Sequence, residues 1–155
     1  MLQSRFENRS YKISFIKTIM LNKIQDAGSS KSTFFELLGG VEEVRDLVDT
    51  FYDIMDTDPK AAPIRALHPA DLTSSREKLF MFLTGWTGGP QLYIERYGHP
   101  RLRQRHMHVS IGEAERDQWM FCMISAMQQL NFDDKLMQNL SEQLYGVADF
   151  MRNQA

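Results

Sequence analysis

At 155 residues the chain is long enough for one domain with a real core, and too short to make two domains the default. With 43% hydrophobic and 25% charged residues it is ordinary globular material, neither disordered nor fibrous. A net charge of −2 argues against nucleic acid as a partner, because phosphate binding shows as a basic excess.

A single cysteine, Cys122, excludes an intramolecular disulfide framework and suits a reducing compartment, so the cytoplasm is the expected location. No apolar run reaches bilayer-spanning length: residues 80–83 are stopped by Thr84 and Gly85, and no membrane partner is expected. Residues 11–24 are moderately apolar, but Lys12, Lys17 and Lys23 interrupt them and no small-residue cleavage site follows, so they do not read as a signal peptide. Residues 1–32 are expected to form an N-terminal extension, partly helical, ending in the polar linker Gly28, Ser29, Ser30, Lys31, Ser32. The domain proper is expected over 33–155.

Residues 33–38 make one or two helical turns, ended by Gly39 and Gly40. Over 41–55, Val44, Leu47, Val48, Phe51 and Met55 recur at the helical period until Asp58 and Pro59 break it. Pro59, Pro63 and Pro69 leave room only for brief turns. Ser74 with Glu77 has the spacing of a capping box, opening a helix that carries Leu79, Phe82, Leu83 and Trp86 and closes at Gly88, Gly89 and Pro90. Residues 91–97 read as helix or loop. Pro100 suits the first turn of a short helix running to about His106.

Ser110 and Glu113 form a second capping-box pair, before a long helix whose buried face is Trp119, Cys122, Met123, Ala126 and Leu130. Asp133 is a candidate N-cap for a last helix with Leu136, Leu140, Leu144, Val147, Ala148 and Met151 at the same period. Sustained alternation and internal repeats are absent from the sequence. The expectation is an all-α domain of about six helices of uneven length.

His99, His106 and His108 fall within the stretch 94–119, and that clustering suggests a ligand-bearing segment. There is no CxxC pair, no HExxH and no Glu-x-x-His pattern, so classical zinc and di-iron sites fit badly. What remains is a cofactor that needs one protein ligand and a large apolar pocket, for which haem is the obvious choice. His106, near the end of the short helix with Leu102 one turn earlier, is the best-placed ligand; His99 and His108 compete for the role. Arg101, Arg103 and Arg105 read either as a solvated face or as partners for propionate carboxylates, and Lys78 could serve the latter purpose too. Tyr52 and Trp119 read either as core residues or as hydrogen-bond donors facing a bound ligand.

Phe51-Tyr52, Glu77-Lys78-Leu79 followed by Met81-Phe82-Leu83, Gly88-Gly89-Pro90, Gly98-His99-Pro100-Arg101-Leu102-Arg103, Arg105-His106 and Glu115-Arg116-Asp117 with Trp119 together resemble a group II truncated haemoglobin. Order and spacing agree from about Phe34 to Phe150. The resemblance implies a globin-like two-over-two helical sandwich around haem b, with His106 as proximal iron ligand. It implies further cofactor contacts from Phe51, Lys78, Phe82, Tyr93, Leu102, Arg105 and Ile111. On the distal side it implies Tyr52, His68 and Trp119 as polar residues, with Leu79 walling the pocket. Ser75 stands at the position of the distal histidine of ordinary globins, so the distal gate is expected to be open or water-filled. Histidine at 68 is ionisable where tyrosine would not be, so ligand affinity is expected to respond to pH.

The resemblance implies reversible binding of dioxygen, and of nitric oxide or carbon monoxide, by a monomer or homodimer. A peroxidase or a nitric-oxide and peroxynitrite detoxifying enzyme is the alternative within that class, and it would require an external reductase, since no flavin or nicotinamide motif is present. From a different class, ten methionines permit a haem-free helical interaction module.

Overall fold

The structure, a computed structural model, describes residues 32–155. The expected helical extension before them lies outside the described residues.

Thr33 opens the first described helix, α1 (Phe34–Leu38): its hydroxyl accepts from the Glu36 amide at 3.2 Å, and the Glu36 carboxylate accepts from the Thr33 amide at 3.2 Å. Two donors that a helix start leaves open are thereby satisfied. The next helix, α2 (Val41–Thr57), buries Val44, Leu47, Val48, Phe51 and Met55 as their period predicts, together with Tyr52 and Ile54. Asp58 stops it and caps a 3-10 turn (Pro59–Ala61) by accepting from the Lys60 amide at 2.9 Å. A short α3 (Ala62–Ala66) follows. Arg65 then braces the proline-punctuated stretch, donating to Asp56 at 2.7 Å and to the carbonyls of Pro69 and Ala70 at 2.9 Å each.

The remaining helices are α4 (Thr73–Trp86), α5 (Leu92–Tyr97), α6 (Leu102–His106), α7 (Glu113–Gln129) and α8 (Asp134–Phe150). Eight α-helices and the 3-10 turn among the described residues exceed the six expected, because chain breaks at Pro and Gly yield separate short helices instead of loops.

Both expected capping boxes of the middle region are displaced. Helix α4 begins at Thr73, whose amide donates to Asp71 at 2.9 Å, and Glu77 instead pairs with Arg45 at 3.0 Å on α2. Helix α7 begins at Glu113 with Gly112 as cap, and Glu115, not Glu113, turns back to accept the Gly112 amide at 2.8 Å. In each case the spacing of three was right, but a competing pair nearby satisfied the backbone better. Asp133 caps α8 as expected, accepting from the Lys135 and Leu136 amides at 3.1 Å each.

Helices α2 and α4 pack as one pair and α7 and α8 as another, with α2 crossing α7 as the main seam between the layers. Leu47, Val48 and Phe51 of α2 meet this seam with Cys122, Met123, Ala126 and Met127 of α7, backed by Leu140 and Leu144 of α8; all are 1% exposed or less. Each large aliphatic so buried contributes about 2 kcal/mol. Met55, Met81, Met120, Met123, Met127 and Met151 are buried and fill the core, while Met137 is half-buried and Met107 exposed. On α4, Phe80, Met81, Leu83, Thr84 and Gly85 are buried, while Leu79, Phe82 and Trp86 are half-buried.

Helix α1 lies against the end of α4. The Phe35 amide donates to the Thr87 carbonyl at 2.9 Å, and a Cβ on Gly88 (φ +109°) would come within 2.8 Å of Thr33. Only glycine combines that backbone conformation with that clearance.

Removing the α8 cap by Asp133→Ala should lower stability by about 1 kcal/mol, read as a reduced urea midpoint with an unchanged denaturant slope.

Candidate functional site

The predicted site residues come from five helices and two connecting segments. His106 closes α6, a five-residue helix none of whose residues is fully buried. Its ring Nδ1 lies 2.6 Å from the Leu102 carbonyl oxygen one turn earlier. A carbonyl only accepts, so Nδ1 carries the proton and the neutral ring presents the lone pair of Nε2. That is the tautomer a metal-ligating imidazole requires, fixed by the helix's own backbone.

A second cluster gathers Phe51, Tyr52, His68 and Trp119. The rings of Phe51 and Tyr52 meet edge to face at 4.9 Å between centroids, Phe51 and Trp119 at 5.2 Å, and Tyr52 and His68 at 5.9 Å. Tyr52 is 5% exposed, yet its hydroxyl finds no hydrogen-bond partner among the described residues; the same holds for the Trp119 indole N–H. Burial pushes the Tyr52 pKa well above its ordinary value, against a smaller opposing pull from Arg76, so the phenol remains a donor throughout the neutral range.

His68 repeats the arrangement of His106: its Nδ1 lies 2.9 Å from the Ile64 carbonyl, which leaves Nε2 with a lone pair. Burial is the largest influence on it and lowers its pKa, the Ile64 carbonyl opposes this, and the charges of Arg65 and of His106 lower it further. The two imidazoles therefore stand within electrostatic reach of one another although they come from α6 and from the turn after α3. An open groove of about 430 Å³, with Met55, Arg65 and Ala70 among its walls, reaches His68 from outside. A second, of about 650 Å³, lies between the ends of α2 and α7 at Ile54, Asp58 and Gln128; neither contains His106.

A third group links α4, α5 and Arg105 of α6. Phe82 and Tyr93 meet edge to face at 6.5 Å, the Arg105 guanidinium sits 5.8 Å from the Tyr93 ring, and Lys78 sits 5.9 Å from the ring of Tyr97. Lys78 and Arg105 are exposed, and Ser75, Leu79, Phe82, Leu102 and Ile111 are half-buried. His99 and His108 are exposed; the Nδ1 of His99 accepts from the Arg101 amide at 3.3 Å, a local turn contact.

The profile of the bacterial-like globin family matches residues 33–153. The chain is 38% identical over 127 residues to the group 2 truncated hemoglobin YjbI of Bacillus subtilis (strain 168), spanning 82% of this chain and 93% of that one. The chain belongs to the bacterial-like globins, as a group II truncated haemoglobin. The group II 2-on-2 hemoglobin of Agrobacterium tumefaciens matches at a TM-score of 0.77 and 43% identity, covering 83% of this chain and 100% of that one. The truncated oxygen-avid haemoglobin of B. subtilis matches at 0.71 and 37% identity, over 79% and 100% of the two chains.

Haem fits the residues present in this globin. Among the described residues no three His, Cys, Asp or Glu side chains are grouped to hold a metal, so an ion on His106 Nε2 needs its other ligands from a non-protein group, which a porphyrin ring provides. Leu79, Phe82, Leu102 and Ile111 are apolar and half-buried, and Lys78 and Arg105 are exposed cations, a chemistry that would suit such a ring and its carboxylates.

Some residues with evident roles are not legible in sequence. Arg116 is 4% exposed and donates to Asp117 at 3.0 Å and Asp149 at 2.7 Å, with the Tyr145 ring 4.9 Å away. Burial works against its charge, but the two carboxylates outweigh it and raise its pKa. Gln118 accepts from the Ile64 amide at 2.9 Å, tying the segment before His68 to the helix that bears Trp119. Asn153, in a polar tail without periodicity, bonds to the segment that follows His106.

Because the folded pKa of His68 lies below the ordinary 6.5, the unfolded chain takes up that proton first as pH falls. Stability should therefore drop as pH falls from 6.5 toward the folded pKa. In the haem-free protein an NMR titration of His68 should have its midpoint below 6.5, and His68→Phe should flatten the stability profile in that window.

Proposed function

We propose that this globin binds haem b through Nε2 of His106 and takes dioxygen, nitric oxide or carbon monoxide reversibly on the side of Tyr52, His68 and Trp119. The observation that carries the proposal is the 2.6 Å contact from His106 Nδ1 to the Leu102 carbonyl, which leaves Nε2 as the one basic atom of that ring. When bound, haem supplies an iron with a coordination position open to a diatomic ligand. The haem-binding domain would be 33–155, with 1–32 as an extension. The cytoplasm is part of the proposal, since buried, unpaired Cys122 suits a reducing compartment.

The chain's own residues then act on the ligand side. Tyr52 and Trp119 hold donors without partners among the described residues, ready for a ligand that carries partial negative charge. His68 is the third polar residue on that side. Its proton is engaged by the Ile64 carbonyl, so the neutral ring offers an acceptor, and it donates toward the ligand space only when protonated. A relative described as oxygen-avid supports tight binding, which suits scavenging or chemistry better than delivery. Catalytic turnover would draw electrons from a separate reductase.

Stopped-flow dioxygen dissociation tests this reading. Tyr52→Phe and Trp119→Phe should each speed release by about tenfold, about 1.4 kcal/mol apiece. The wild type should release oxygen more slowly as pH falls below 6.5 and His68 gains its second proton, and His68→Phe should remove that dependence. Unchanged rates in both donor variants would overturn the distal assignment.

A further inference from the structure

Helix α6 has too little packing of its own to fix His106. It is five residues long, none is buried, Arg101 before it takes a left-handed φ of 45°, and Met107 after it is 57% exposed. What holds it comes from the other end of the chain. After α8 ends at Phe150, the backbone turns at Met151 and Arg152, whose amides donate to the Ala148 and Asp149 carbonyls at 3.2 and 3.1 Å. Asp149 grips Arg116 of α7 at 2.7 Å and lies 2.8 Å from Arg152 Nε, so the start of this tail is clamped by charge.

Asn153 then turns both ends of its side chain to the segment after α6. Its Nδ2 donates to the Val109 carbonyl at 2.8 Å and to the His106 carbonyl at 3.3 Å, and its Oδ1 accepts from the Ile111 amide at 2.9 Å. Its own amide and that of Gln154 donate to the Ile111 carbonyl at 2.9 and 3.0 Å. Arg103 adds a bond from α6 to the Phe150 carbonyl at 3.4 Å, with its guanidinium 5.7 Å from the Phe150 ring. Past α6 the segment makes only turn bonds of its own, from the Met107 amide to the Gln104 carbonyl at 3.4 Å and from the Val109 amide to the His106 carbonyl at 3.2 Å, and the tail satisfies the Val109 carbonyl and the Ile111 amide and carbonyl.

We propose that Asn153 is a positioning residue for His106: the tail staples the His106–Ile111 segment and so sets the distance and tilt at which His106 Nε2 meets a cofactor metal. This rests on the reading of His106 as the metal ligand. Outer partners of ligating histidines govern affinity through orientation, and here the partner acts on the backbone carbonyl of His106 while Leu102 acts on its ring. The same staple fixes Ile111, one residue before the cap of α7, so the approach to Trp119 is set by it as well.

Two Asn153 variants separate the bonds. Asn153→Ala removes the three side-chain bonds to the His106–Ile111 segment; Asn153→Asp keeps the acceptor for Ile111 and loses the donor to His106 and Val109. In the reduced, haem-loaded protein, both should shift the iron–histidine stretching frequency, and both should lose haem to an apoglobin scavenger about tenfold faster than wild type. The helical far-UV signal should be retained. A folded Asn153→Ala protein with the wild-type frequency and haem-loss rate would overturn the proposal.

Should that variant fail to fold, amide hydrogen exchange of the haem-free wild type decides: Ile111 should be protected well beyond its neighbour Ser110, and equal exchange would refute the staple. An Ile111 amide that is protected in a protein whose haem-loaded form shows no iron–histidine stretch would leave the staple standing while sinking the assignment of His106.

Discussion

The hydrogen bond from His106 Nδ1 to the Leu102 carbonyl is the constraint on which the site turns. It is a local bond, one helical turn long, made to the carbonyl of Leu102, the first residue of α6. By assigning the ring proton to Nδ1 it decides the chemistry of Nε2, without any second side chain. Leu102 must be helical for its carbonyl to stand there, and α6 must exist for Leu102 to be helical. A helix of five residues does not persist alone in water. The remainder of the fold can be understood as the means of keeping that single turn in place.

Support arrives from two directions. From the core, the α2–α7 seam is buried, and it carries Phe51 and Tyr52 on one side and Trp119 on the other, so the proposed ligand side is built on the two long helices of the core. From the surface, α6 is held by polar bonds to the C-terminal tail, and the tail is held by the buried Arg116 and its two carboxylates. The arrangement places packing where shape must be fixed and hydrogen bonding where a short backbone segment must be satisfied. His68 sits between these regimes, bonded to its own turn and standing beside an open groove.

The fold was legible because its long helices bury one periodic face. Val44 to Met55 and Leu136 to Met151 announce themselves at 3.6-residue spacing, and Asp58, Pro59 and Asp133 mark ends for reasons of backbone chemistry. Cap assignment was less legible: Ser74 and Ser110 have the right partners three residues on, but Asp71 and Glu115 reach the open amides first. On α4, periodicity marks Leu79, Phe82 and Trp86 as apolar without saying how far protein covers them, and all three are half-buried. His106 was singled out by the company of Leu102 and the arginines and by the family resemblance; nothing in the sequence reports the tautomer of His68 or the reach of Asn153, since both depend on carbonyls brought near by the fold.

The most direct test of the account is a titration of the haem-free protein with haem under reducing conditions, followed in the Soret region for the wild type and for His106→Ala. The account predicts a sharp endpoint at one equivalent for the wild type, with a spectrum of iron held by a single histidine, and loss of that spectrum in the variant while the helical signal persists. A variant that reproduces the wild-type endpoint and spectrum, or a wild type with no endpoint at all, would contradict it.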